Sequence, residues 1–257
     1  MNGQELPELP DASGLVNLWR VSGAAGEAGN TWLRLDATEF QLWRDCGVIT
    51  GDWRAHADLF LAWVVGATGH CFPLETIPAV PWLESATGFR AAHHGWILTD
   101  THGTAVATLT IAGAPAADTD AARSFREPPT QSSDAGTWER VSGRRPPARP
   151  AGTSPATAAH LAGRWVPADL VAPTHPYLQV EADGSWHGSD GCNGNQGRWA
   201  LNDRGDFLAS SGMSTMMFCE GAPVPSWLAQ ARLAVFENGR LRLLDADGGR
   251  LGDLERG

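Results

Sequence analysis

The two halves of this 257-residue chain carry one pattern. Trp19 is matched by Trp165, and Cys46, Gly51 and Trp53 by Cys192, Gly197 and Trp199, all at an offset of 146. Trp32-Leu33-Arg34-Leu35 aligns with Tyr177-Leu178-Gln179-Val180 at 145, and Phe60-Leu61-Ala62 with Phe207-Leu208-Ala209 at 147. Cys71 meets Cys219 at 148, while Trp82-Leu83 and Gly103 meet Trp227-Leu228 and Gly248 at 145. A register that drifts by so little marks one structural unit made twice. Each unit then has about 100 residues in which to bury a core of its own.

The repeat divides the chain into residues 14–113, a segment 114–158 and residues 159–257. The middle segment is rich in Ala, Pro, Thr, Ser and Arg, including Arg144-Arg145-Pro146-Pro147-Ala148-Arg149-Pro150. Pro cannot join a ladder and there is little apolar surface to bury, so it reads as a linker of polyproline and coil character. Gly136 to Ser142 stands out within it as a short strand or docking segment.

Within the second unit Tyr177 to Glu181 alternates, and Asp183-Gly184 reads as a hairpin turn into Ser185 to Gly188. Asn202 to Gly205 and Asp245 to Gly248 are further turns, and Pro225 to Arg232 carries helix formers with Ser226 as an N-cap. The first unit repeats the closing hairpin at Trp96 to Ile111, around Asp100-Thr101-His102-Gly103. The fold class expected is α+β, two tandem domains, each a strongly curved antiparallel β-sheet (a partly open barrel) with one packed helix.

The second unit resembles the META/HslJ domain. The resemblance rests on Leu161-Ala162-Gly163-Arg164-Trp165, the Gly191-Cys192-Asn193 turn, Ser214-Thr215-Met216-Met217-Phe218-Cys219 and the closing hairpin from Gly239. The first unit is similar but divergent: Gly47 stands in place of the Asn, and the Ser-Thr-x-Met motif is gone. The resemblance implies a partly open β-barrel with a helix, similar to lipid-binding secretin pilot proteins. It also implies association with bacterial stress and antibiotic-resistance phenotypes, often as envelope lipoproteins, and brings no enzymatic activity and no cofactor.

The net charge of −10 repels phosphate backbones and anionic lipid, so nucleic acid is not an expected partner. No run of about 18 apolar residues provides a membrane span. The N-terminus shows neither a signal sequence nor a lipobox, so a cytoplasmic location is expected, with export by a route not visible here as the alternative.

Cys46 with Cys71 and Cys192 with Cys219 form one pair per unit. A disulfide in each is the leading reading; packed thiols in a reducing compartment and a metal pair are the alternatives. The Gly-rich run 191–197 lacks the Lys and helix of a phosphate loop and reads as a tight turn, with Asn193 bonding local backbone. His93-His94 reads as a solvated turn, and Asp245 to Gly248 lacks the glutamate of a calcium loop. No nucleophile elbow or zinc-protease helix is present, and His187 is the one histidine worth inspecting for a hydrolase.

Twelve Trp against one Tyr leave aromatic content as the remaining signal. Trp186, Trp199, Met216 and Met217, with Asn193 as a polar contact, are the candidate lining of a groove for a small apolar ligand or a protein segment. An ordinary core is the alternative use of the same side chains. The functional expectation is a non-enzymatic binding protein without cofactor or metal, and a purely structural or interaction module with filled barrels is its rival.

Overall fold

The computed structural model describes residues 10–37, 39–70, 77–115, 126–129, 141–142, 146–169, 174–212, 214–215, 217 and 220–257. They form two antiparallel β-sheet domains with few, short helices.

The first domain opens with a 3-10 turn, Ala12–Leu15, capped by the Asp11 carboxylate on Ser13 N–H. Strands β1 (Asn17–Ser22), β2 (Trp32–Leu35), β3 (Phe40–Arg44), β4 (Gly47–His56) and β5 (Leu59–Gly69) follow as a meander. Helix α1 (Pro81–Ser85) leads to β6 (Gly88–Ala92), β7 (Gly95–Thr99) and β8 (Ala105–Thr110). Because β8 returns to β1, the sheet is a ring, and its weakest seam is the single Leu59–Gly88 pair between β5 and β6. Trp19, Phe40, Trp53, Phe60 and Phe89 fill its interior.

The linker does more than its composition suggests. Its β9 (Val141–Ser142) lies parallel to the end of β4, pairing Ala55 and His56, within the stretch singled out as a short strand. Farther on, β10 (Ser154–Pro155) pairs with β16 (Leu233–Glu237) of the second domain. Pro tolerates this because an edge strand leaves one side of the backbone unpaired.

After α2 (Ala158–Leu161), the second domain runs β11 (Gly163–Pro167), β12 (Tyr177–Val180), β13 (Ser185–Ser189), β14 (Gly194–Leu201) and β15 (Phe207–Ala209). Then come α3 (Val224–Gln230), β16, β17 (Arg240–Leu244) and β18 (Arg250–Arg256), which returns to β11. The wiring is that of the first domain, strand for strand, with a helix between the fifth and sixth strands in both. Here β15 and β16 share no ladder beyond the isolated Asp206–Leu233 bridge, so the sheet is a half-barrel. Helix α3 starts one residue before the Pro225 expected from sequence, and Ser226 sits inside the first turn, where its hydroxyl accepts from Gln230.

Both turns read from Asp-x-x-Gly occur as expected. The Asp100 carboxylate accepts from His102 and Thr104 N–H, and Asp245 accepts likewise from Asp247 and Gly249. Gly103 and Gly248 follow at φ +75° and +81°, which a residue with a Cβ adopts only at a cost.

Candidate functional site

The tryptophans that recur in both halves are core before they are anything else. Trp19 Nε1 donates to Leu15 O at 2.7 Å, and Trp165 Nε1 donates to Leu161 O at 2.8 Å. Trp53 Nε1 donates to Asp36 O at 2.7 Å, and Trp199 Nε1 reaches Glu181 O and Ser185 O, both at 3.1 Å. Each indole therefore hides its apolar body and satisfies its one donor, and equivalent residues do so in both domains. Trp186 lies in the same core, its N–H on Ser210 O at 3.0 Å. Of the groove residues expected from sequence, Trp186 and Trp199 thus sit inside the half-barrel wall, at 1% and 6% exposure.

Asn193 has another role. It lies buried at the start of β14, beside a turn in which Asp190 accepts from Cys192 N–H, Asn193 N–H and Asn193 Nδ2. Its Nδ2 also donates to Met217 O, while its Oδ1 accepts from Met217 N–H and Thr215 Oγ1, all at 2.8 Å. Two donor and two acceptor positions are then filled from within the chain. Sequence reading expected Asn193 to bond local backbone; its side chain bonds the Asp190 carboxylate of the turn and, beyond it, ties residue 193 to a segment 24 positions later. Burial pushes the Asp190 carboxyl upward, but the Asn193 side chain and the backbone N–H groups outweigh it and hold it below the ordinary carboxylate range. Gly191 is needed here, since a Cβ would stand 2.2 Å from Thr174 Oγ1 at φ +108°.

Met217 projects outward and is 61% exposed. Met216, Cys71 and Cys219 lie outside the described residues. No disulfide joins two described residues, and neither Cys46 nor Cys192 is a free thiol. His187 is exposed, with Tyr177 edge-on to its ring at 6.1 Å. His93 and His94 are exposed as expected of a turn, yet their rings touch, 2.9 Å between Nδ1 and Nε2. Among the described residues no group of three His, Cys, Asp or Glu is placed to hold a metal, and no helix is long and apolar enough to cross a membrane. Two surface clefts of about 200 Å³ are lined by residues 20–29 and by Pro167, Trp227, Arg250 and Gly252.

The densest unforeseen constellation lies where the domains meet. Leu59 and Leu61 of β5 pack against Ala200 of β14 and Leu208 of β15, all nearly without exposure. Arg54 donates across the seam to Ala209 O and Ala229 O at 3.2 and 2.9 Å. At the hairpin tips Asp58 accepts from Asn202 Nδ2 and Arg204, which also bonds Asp206. His56 is fully buried; burial first, then the Arg232 charge, push its imidazole down from 6.5 to about 4, against a smaller upward pull from Asp58. Sequence reasoning missed these residues because single charges at hairpin tips read as solvated. Opposite charges at matching tips of the two copies were the available signal.

Comparison with known proteins is narrow. The META domain family model matches residues 157–256, which include the Asn193 turn, the Ser214 to Cys219 motif and every strand from β11 to β18. No curated protein and no solved structure matches the chain. The first β-sheet domain is assigned to no family, whereas residues 157–256 are a META domain.

Proposed function

We propose that the chain is a non-enzymatic binding protein whose two META-like domains recognise a protein segment on their outer surface. The first domain is read as a divergent repeat of the second. Strand-for-strand wiring, the paired Trp–carbonyl bonds and the paired Asp turns support that reading. The observation that carries the function is the filling of both interiors. Trp53, Phe60 and Phe40 occupy one, and Trp165, Trp186 and Phe207 occupy the other, each at most 2% exposed. The clefts of about 200 Å³ fall short of the roughly 300–1,000 Å³ that usually bury a small ligand.

The exposed Met217, held out by Asn193 at the open end of the half-barrel, is the adaptable contact best placed for a partner segment. One disulfide within each domain, Cys46 to Cys71 and Cys192 to Cys219, belongs to the same proposal. Titration of a hydrophobic dye against tryptophan emission is the test. Filled interiors give no saturable quenching, and saturable quenching abolished by Trp186→Ala would restore the small-ligand groove.

A further inference from the structure

The seam between the domains uses equivalent surfaces from both. Leu61 and Leu208 are the same position of the repeat, and they meet. The fifth strand of each domain packs against the fifth strand of the other, while β4 touches β15 and β14 touches β5, an exchange of roles. The hairpin tips that bear Asp58 and Arg204 are equivalent too, and they pair at 3.0 Å. Contact of a patch with its own counterpart, with reciprocal flanking contacts, is the pattern of a two-fold interface.

We infer that this seam is a self-docking surface of the fold, a two-fold dimer interface enclosed in one chain, whose partner is a second copy of the same unit. The opposed charges at the two tips select which copy. First-with-second pairing sets Asp58 against Arg204, whereas pairing two first domains opposes two aspartates and pairing two second domains opposes two arginines, each left with only the Asp206 of its own tip. Arg54 adds to the selection, because Ala200 stands at its counterpart and has no guanidinium to offer to the carbonyls opposite. The charged and titratable groups facing one another here are Arg54, His56 and Asp58 from β4 and its tip, and Arg204, Asp206 and Arg232 from the second domain. Specificity built from repulsion against the wrong pairings costs little and needs no extra area.

Charge reversal in the full chain tests this. Asp58→Arg and Arg204→Asp are compared singly and together, with folding checked by circular dichroism. Seam closure is read from the His56 imidazole titration by NMR, with His56→Gln identifying the signal. Each single reversal is expected to move that titration from about 4 toward 6.5, and the double reversal to bring it back. An equimolar mixture of the two single variants should sediment at twice the parent mass, because every mismatched domain finds its complement in the other chain. Folded single variants that leave the His56 titration in place, or a double reversal that fails to restore it, would overturn the inference; so would a mixture that stays monomeric after the single variants have opened.

Discussion

The two domains share their wiring but hold the far end of the fifth strand by different means. In the first, β5 runs 11 residues and stays paired with β4 from His56–Leu59 out to Gly47–Gly69, through one bulge between Gly51–Val64 and Thr50–Gly66. In the second, β15 is only three residues long; just beyond it Ser210 and Gly212 N–H still donate to Arg198 O and Gln196 O of β14, and residues 214, 215 and 217 belong to no strand. Farther along, one side chain, Asn193, holds the chain through Thr215 and Met217. On the proposed reading of the first domain as a divergent repeat, Gly47 in place of Asn and the lost Ser-Thr-x-Met motif are a single change, since the anchor and the segment it holds go together. The ring and the half-barrel differ at the other end of that strand, in the Leu59–Gly88 pair of the first domain against the isolated Asp206–Leu233 bridge of the second.

Asn193→Gly, which gives the second copy the residue of the first, carries the largest expected effect. Four part-buried hydrogen bonds go at once, for a loss of about 2–3 kcal/mol in thermal or denaturant unfolding. Amide exchange should rise at Thr215 and Met217 while the first domain stays protected. An unchanged midpoint would mean that Asn193 does not hold the Thr215–Met217 segment in the folded protein.

Next is the pH response of the seam. The folded protein keeps His56 neutral down to about pH 4, whereas the unfolded chain protonates it near 6.5. Between those values the unfolded state binds more protons, so stability falls as pH drops from 6.5 to 4. The total is about 3 kcal/mol from this residue. His56→Gln should flatten that slope, and a slope that survives would place its origin elsewhere. The Asp253 carboxyl contributes with the opposite charge type. Burial alone would raise it, but the bidentate Arg242 contact outweighs that and holds it low, so its support is lost only in more acidic solution, below the ordinary carboxylate range.

Truncation of the matched seam leucines ranks third. Leu61→Ala and Leu208→Ala should each cost about 2–3 kcal/mol, and the double variant should fall short of their sum because the two side chains touch. Strict additivity would deny the two-fold contact. Smallest is the pair Trp19→Phe and Trp165→Phe, each losing one buried indole hydrogen bond worth about 1 kcal/mol. Losses of unequal size would break the equivalence of the two cores.

Much of this was legible in the sequence for a definite reason. Trp, Gly and Asp-x-x-Gly positions report local demands, an indole to bury or a positive φ to tolerate, and these recur wherever the unit recurs. The hairpins around Gly103, Gly184 and Gly248 were read from such signals. The candidate site was less legible. Asn193 is adjacent to a turn, and its role as a long-range tie depends on where residues 215 and 217 return, which no local pattern states. Trp186 and Trp199 could line a groove or fill a core with the same residue types; only their burial separates the two uses. Arg54, Asp58 and Arg204 gain their meaning from the docking of one domain on the other. Ala57 takes φ +55° in the tip between β4 and β5, next to Asp58, and nothing about an alanine announces that.

Duplication of one unit is tested most directly by indole N–H exchange followed by NMR in the intact chain. Trp19 with Trp165, and Trp53 with Trp199, are expected to exchange slowly and as matched pairs, each held on its carbonyl. One member of either pair exchanging at the rate of a solvent-exposed indole would contradict the claim that the two domains are the same structure built twice.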